Sequence, residues 1–485
     1  MEWGPLVLAL MLIGAAYLYS NNLRSSETAQ DGRQDPSLAK SQVIQAWAQT
    51  IQEPVDKVER VAVGLNINAD LIVSATALLD ELGINQGPRQ DHALLNSLTD
   101  LQETFGFFFE SGAAAERYFA NGEVYQRIVD AADKLEPKEY SIGGNAALMA
   151  YKMAKLTDDV QILVVGPVGP KVRSLMPSKV NIHATSLRDQ DEIHLIMEYA
   201  KGEMWGELTT PIATRFITSH DVANAQLDGL DMFSSSIKDF QPDVVMFSGL
   251  HLLDSSSPQE QQQKLSALIV ELAKLPRSLP VHLELASMAN EGLVHLIATK
   301  VLPSVHSLGF NEQELGLVSR ANDGPHPDLA ADESGYVEVG AVADILYWIL
   351  TSLVEGQSSQ LTRLHFHSLT FHLVATLPND WGNSASAVGV GARVAGEQAC
   401  EDIPIHPSKV DLRIPKAFSL SVEFAPLRRT AVIFDPSDPI TTWRRGQVTF
   451  HFSPVLVCRS PGKTVGLGDA ISATAMLYTQ YKPST

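Results

Sequence analysis

A chain of 485 residues is long enough for two or three average domains, or for one large α/β domain with insertions. Its 45% hydrophobic and 19% charged residues are those of an ordinary globular protein. The net charge of −20 excludes a phosphate-backbone binder, so no nucleic-acid partner is expected, while an acidic chain still suits a substrate that arrives as a metal complex.

The chain opens on WGPLVLALMLIGAAYLY, Trp3 to Tyr19, which carries no charge. Seventeen such residues lie between a signal-peptide core and a short membrane anchor. Glu2 stands where a basic n-region would be, so residues 1–22 read as either a cleaved signal or an uncleaved anchor. Both imply entry into the secretory pathway, ending in the endoplasmic reticulum lumen or membrane, or in secretion. Residues 23–40 are polar and read as a flexible tether. A single folded unit is expected over 41–485.

Within that unit, VAVGLNI (61–67), QILVVGPVG (161–169), PDVVMFSGL (242–250), PVHLELAS (280–287) and SVHSLGF (304–310) are near-continuous apolar runs. Such runs bounded by Gly, Pro or Asn read as buried parallel strands. Between them, 257–276 predicts a helix, with Ser257 as N-cap, Pro258 at its first position, and Leu265, Leu268, Ile269 and Leu272 as the apolar face. Residues 339–356 predict a second, largely apolar helix. This alternation argues for a parallel sheet covered by helices on both faces. Two stretches, 68–140 and 185–235, break the rhythm and read as a smaller lid over the C-terminal edge of the sheet, where open α/β folds bind ligands.

Candidate chemistry follows in chain order. In NINAD, Asn68 and Asp70 fall on one side of an extended segment and could hold two vicinal hydroxyls, or simply form a turn. Arg215, in TRFITSHD, is a lone arginine in a lid-like stretch. In IGGNAALMA, Gly143 and Gly144 precede Asn145 and an Ala-rich helix, so the backbone can approach a ligand beside an amide side chain. In HLE, His282 and Glu284 share a strand face; in NEQE, Asn311 and Glu314 stand i, i+3. These acids could organise Mg2+ partly through water, and Asn311 with Glu314 also fits a capping box. HFHSLTFH holds His365, His367 and His372 but no zinc-ligand spacing. GVGARVAG (389–396) misses the third glycine of the dinucleotide fingerprint, and no Walker sequence occurs. Near the C-terminus, GLGD places Gly466, Leu467, Gly468 and Asp469 at a loop-to-helix transition. That is either a plain N-cap or an anion site with a carboxylate beside it. The only cysteines, Cys400 and Cys458, either pair in an oxidising lumen, for about 4 kcal/mol, or remain two buried thiols.

The order GGN, then GxGD far downstream, resembles ribokinase-like sugar kinases, and HxE and NxxE with TVGLGDAIS resemble their ADP-dependent branch. RVAVG, GAAAER, VGPVGPK, RFITSHD, VHLELAS, LGFNEQE and VLVCRSPGKTVGLGDAIS closely resemble the animal ADP-dependent glucokinase family, from Arg60 to Tyr481. That family is associated with the endoplasmic reticulum and has an N-terminal apolar segment. The resemblance implies a ribokinase-like three-layer α/β fold, a doubly wound, mostly parallel sheet with a β-rich lid. It implies transfer of the β-phosphoryl group of ADP to the 6-hydroxyl of glucose, with Mg2+ as cofactor. By the same resemblance Asp469 looks like the catalytic base, and the amides around Gly466, Gly468 and Asp469 look like the anion hole. Asn68, Asp70, Glu116, Gly144 and Asn145 match sugar contacts. Arg215, His367, Gly466 and Leu467 match nucleotide contacts, and Glu284 and Glu314 match metal-organising residues. A monomer is expected. Fructose 6-phosphate is the rival acceptor, although Glu116 disfavours a phosphorylated sugar; a sugar or nucleotide sensor is the rival of another class. The region from IPKAFSLSVEF to TTWRRG carries no assignable motif.

Overall fold

The apolar runs become the middle of a ten-stranded sheet in the computed structural model, which describes residues 36–286, 288–332, 334–354, 359–378, 380–422, 431–462 and 466–482. The expected signal or anchor, and most of the tether, lie outside those residues. From edge to edge the strands are Thr441–Arg445, Val448–Pro454, Phe371–Thr376, Arg363–His367, Ser307–Phe310, Val281–Glu284, Val244–Ser248, Arg60–Leu65, Gln161–Val164 and Val180–Ile182. The last seven are mutually parallel, and each of the first three pairs antiparallel with its neighbours.

Strand Arg60–Leu65 pairs with Gln161–Val164 on one side and Val244–Ser248 on the other. Strand order therefore reverses there, and the crevice at its C-terminal end is where such sheets take ligands. Alternation along the strands sorts the two faces. Ala62, Val245, Phe247, Leu283, Leu308, Leu364 and Phe366 enter the large core under helices Leu230–Phe240, Pro258–Leu272 and Val339–Trp348. Val61, Val63, Val244 and Met246 face helices Asn145–Leu156 and Leu467–Leu477. Further along this second face the apolar residues give way to His282, Glu284, Ser307, Arg363, His365, His367 and His372, all buried.

The second sheet has six strands: Leu94–Leu95, Ala115–Phe119, Thr214–Ser219, Ile193–Tyr199, Asn68–Ser74 and Lys138–Gly143. Leu71, Val73, Leu195, Met197 and Phe216 pack on helices Ala75–Glu81, Leu98–Ser111 and Gly122–Ala132. The opposite face carries Asn68, Asp70, Glu116, His194 and Arg215 in matching register.

Several expectations shift. The tether is not loose to residue 40: helix Pro36–Thr50 already contains Pro36 to Lys40, and buried Lys40 donates to the Val410 carbonyl at 3.0 Å. The run at 61–67 does not stay one strand. Asn224 accepts from the Ile67 amide at 3.0 Å and donates to the Ile67 carbonyl at 2.9 Å, replacing ladder bonds by a side chain where the chain passes into the lid. The lid sheet extends to Gly143 and ends at Ser219, so the helix Leu230–Phe240 belongs to the main sheet and not to the lid. The helix predicted over 339–356 keeps α geometry to Trp348 and widens to a π turn over Ile349–Leu353. The helix predicted at 257–276 runs Pro258–Leu272 with Ser257 and Glu260 in a capping box. Cys400 and Cys458 form a disulfide with Cα atoms 5.4 Å apart. Among the described residues no helix is long and apolar enough to cross a membrane.

Candidate active site

Gly466 has φ +67°, a left-handed value that glycine adopts freely, and it is the cap from which helix Leu467–Leu477 starts. The first amides of any helix lack intrahelical acceptors, so those after Gly466 point toward the crevice as anion donors. Gly468 packs closely on a histidine: a Cβ there would stand 3.1 Å from His367 Cε1. Asp469 follows, in the first turn and buried, with Oδ1 lacking any hydrogen-bond partner among the described residues. Burial, then the Glu284 carboxylate, pushes its carboxyl up to about 7, against the Asn145 amide, which favours the charged form. A solvent-free acid that titrates near neutrality, beside amide donors, can take a proton from an incoming hydroxyl.

Asn145 begins the helix that faces Asp469, and its placement is specified by its neighbours. Gly144 has φ +80°, and a Cβ there would lie 2.6 Å from the Asn66 carbonyl oxygen. Asn66 Nδ2 donates to Asn145 Oδ1 at 3.1 Å, and Asn66 Oδ1 accepts from the Ala146 amide at 3.2 Å. Gly143 leaves the space filled by Asn68 and Asp70, whose side chains join by an Nδ2–Oδ1 bond of 2.8 Å. Burial raises the Asp70 carboxyl to about 6, with His194 acting against it. Glu116 and Arg215 also act on Asp70, which puts Arg215 on the same lid face as the hydroxyl-binding candidates and beside them. Thus Gly144 packs on Asn68, Asn68 bonds Asp70, Glu116 acts on Asp70, and Asn145 acts on Asp469, which links the lid candidates pairwise to the start of the C-terminal helix.

Glu284 and Glu314 lie at neighbouring strand ends. Glu284 Oε2 accepts from His282 Nε2 at 3.0 Å, and its Oε1 accepts from His367 Nε2 at 2.9 Å. Burial opposes its charge, but the two imidazoles overcome this and hold it down near 2. Glu314 completes a capping box: Oε2 accepts from the Asn311 amide at 2.8 Å and Oε1 from Asn311 Nδ2 at 3.1 Å. Burial first, with Glu284 adding, raises it to about 7. The capping-box reading of NEQE is the one these bonds show.

Among the described residues no three acidic, histidine or cysteine side chains converge closely enough to chelate an ion. What is present fits a magnesium ion that keeps its waters: three buried carboxylates, Glu284, Glu314 and Asp469, repel one another, and one oxygen, Asp469 Oδ1, is orphaned. The fit is to outer-sphere organisation by Glu284 and Glu314, not to an all-protein cage.

Several residues of the site carry no motif in the sequence. His194 Nε2 bonds Asp221 Oδ2 at 2.8 Å. Burial works against its imidazolium, but Asp221, with Glu116 and Asp70 beyond, raises it to about 9. Asp221 also accepts from both the amide and the side chain of Asn224, the residue that clamps Ile67. His251 lies nearby, half-buried, with Nδ1 shielded from solvent and without a hydrogen-bond partner among the described residues. His194 and Asp221, the latter in SHD at 219–221, stand 27 residues apart, and the pairing of Ser219 with His194 brings them together.

Residues 59–478 match the family described as the ADP-specific phosphofructokinase/glucokinase conserved region. The chain is 43% identical over 441 residues to an ADP-dependent glucokinase of Bos taurus, covering 90% of this chain and 88% of that one. It is 37% identical over 447 residues, with the same coverage, to a probable ADP-dependent glucokinase of Caenorhabditis elegans. Its backbone is similar to an ADP-dependent kinase solved with fructose 6-phosphate and ADPβS (TM-score 0.63, 17% identity, 92% of this chain and 98% of that one). It is also similar to a hypothetical ADP-dependent phosphofructokinase of Pyrococcus horikoshii (TM-score 0.62, 19% identity, 88% and 98%). At those identities the structural likeness speaks for the fold alone.

Proposed function

Because the chain belongs to the ADP-specific phosphofructokinase/glucokinase family, we propose the following division of labour for its reaction, the ADP-dependent phosphorylation of glucose to glucose 6-phosphate with release of AMP. It is a phosphotransferase with an alcohol acceptor. Asp469 is the base, and the observation that carries this is its burial at a helix N-terminus with Oδ1 unpartnered and its acidity near neutrality. The glucose 6-hydroxyl gives its proton to Asp469 as its oxygen attacks the β-phosphorus. The amides of Gly466, Leu467, Gly468 and Asp469 hold the phosphoryl oxygens in flight. Asn68, Asp70, Glu116, Gly144 and Asn145 orient the sugar hydroxyls. Arg215 approaches the phosphates from the lid, and His367 borders the nucleotide.

Glu284 and Glu314 would hold magnesium, which would supply charge neutralisation on the nucleotide phosphates. Closing of the lid excludes water, which limits hydrolysis of ADP. Glucose is favoured over fructose 6-phosphate because Asp70 and Glu116 make the sugar-side face acidic, while the charge of His194 is taken up by Asp221. We also infer that the enzyme works as a monomer. Residues 1–22 direct it to the endoplasmic reticulum, as a signal or an anchor, a reading supported by their uncharged apolar run.

Asp469→Asn tests the base. The expected result is a kcat lower by about 10²–10⁴ with the glucose KM little changed. A variant with more than a tenth of the wild-type kcat would overturn the assignment.

A further inference from the structure

The buried polar face of the main sheet holds a chain of hydrogen bonds that starts far from the crevice. Arg363, Ser307 and His282 are cross-strand neighbours, in register on three adjacent parallel strands. Arg363 is fully buried, and its Nη1 donates to Ser307 Oγ at 2.8 Å. Ser307 Oγ lies 2.9 Å from His282 Nδ1. His282 Nε2 then meets Glu284 Oε2 at 3.0 Å, and Glu284 Oε1 meets His367 Nε2 at 2.9 Å. His367 in turn lies against Gly468, at the start of the phosphate-binding helix.

The direction of each bond is set by what each group can do. A guanidinium only donates, so Ser307 Oγ must accept from Arg363. A hydroxyl has one proton, and no acceptor other than His282 is within hydrogen-bond reach of Ser307 Oγ among the described residues. That proton therefore goes to His282 Nδ1, which must be the unprotonated nitrogen. Nε2 then carries the ring proton and gives it to Glu284, a carboxylate that can only accept. An imidazolium would leave the Ser307 proton without an acceptor and place a second cation beside buried Arg363.

We propose that Arg363 and Ser307 are positioning residues that lock His282 in its Nε2–H tautomer, so that it holds the Glu284 carboxylate in one orientation. This rests on the reading of Glu284 as part of the phosphoryl-transfer site. The buried cation gives the chain its polarity; Ser307 inverts a donor into a donor one strand further on. Neither residue touches a substrate. Loss of the Ser307 hydroxyl, or of the Arg363 cation that sets its direction, takes away the donor that holds Nδ1 unprotonated and leaves His282 free to present Nδ1–H, with the Nε2 lone pair then facing the Glu284 carboxylate, which repels it.

The test uses the full chain labelled with ¹⁵N-histidine. Long-range ¹H–¹⁵N correlation spectra report which ring nitrogen is protonated, and the His282 signals are those lost in His282→Gln. Wild-type protein is expected to show the Nε2–H pattern. Ser307→Ala is expected to lose it, or to show a tautomer mixture, with kcat down roughly tenfold and the glucose KM within about twofold of wild type. Ser307→Thr, which keeps the hydroxyl, restores both, and Arg363→Met behaves like Ser307→Ala. An Nδ1–H or doubly protonated His282 in wild-type protein overturns the proposal, and that spectrum decides even if a variant fails to fold. So does a kcat that falls with the tautomer unchanged, or a tautomer that changes with kcat intact. The expected tautomer in a wild-type protein that phosphorylates no sugar would instead count against the kinase reading, leaving the hydrogen-bond chain standing.

Discussion

Burial of Asp469 without a partner on Oδ1 ties its use as a base to a stability cost. Its folded acidity, about 7, lies well above the value near 3.9 of an unfolded aspartate. Between those values the folded state keeps a proton that the unfolded chain has released. Stability therefore falls as pH rises from about 4 to about 7, and the whole penalty is present above 7. Asp469→Asn removes the charge and keeps the shape. Urea unfolding should find it more stable than wild type at pH 8, by on the order of 1–4 kcal/mol, and equal near pH 4. The same titration should appear in catalysis: kcat/KM rises with pH through about 7, because the free enzyme must present the ionised form. A flat profile from pH 6 to 8 would mean that Asp469 is not the group that takes the proton.

At the scale of elements, the site is built where two turns approach closely and where one strand is interrupted. Gly144 is confined by backbone, with φ +80° and a neighbouring carbonyl 2.6 Å from any added Cβ. Gly144→Ala should displace Asn145 from both Asn66 and the sugar; the glucose KM is expected to rise tenfold or more, with a stability loss of about 1–3 kcal/mol. Asn224→Ala leaves the Ile67 amide and carbonyl without their partners at the lid junction. A loss of about 1–3 kcal/mol in chemical denaturation is expected, and an unchanged midpoint would show that water replaces the clamp.

The strands of the main sheet were legible because runs such as VVMFS and VHLE are buried on both faces, and both GGN and GLGD mark loop-to-helix starts that only glycine permits. The break at Asn66 and Ile67 was not, since an apolar β-branched residue after a strand gives no local sign that a distant asparagine replaces its ladder bonds. His194, Asp221 and the Arg363–Ser307–His282 chain were equally silent. Each is a cross-strand or cross-domain neighbour, defined by register and not by spacing along the chain.

At the scale of the whole molecule, two sheets meet along a crevice, and the chain segment that closes one side of it is tied down covalently. The Cys400–Cys458 bridge joins the end of helix Ser384–Cys400 to strand Leu456–Cys458, just ahead of the Gly466 turn. Replacing both cysteines by serine should lower stability by about 2–5 kcal/mol, read from thermal or urea unfolding. A lid whose inner face carries the hydroxyl-binding candidates Asn68, Asp70 and Glu116 predicts closure on glucose and not on ADP alone. The same faces and the same base serve any acceptor that fits, so the choice of phosphoryl donor is what separates this enzyme from other sugar kinases of its fold. The most direct measurement is a coupled assay of glucose 6-phosphate formation with Mg2+, comparing ADP with ATP and quantifying the nucleotide product. The account predicts one AMP for each glucose 6-phosphate formed from ADP, and a rate with ATP at least tenfold lower. Equal rates with the two donors, or no glucose 6-phosphate from ADP, would contradict it.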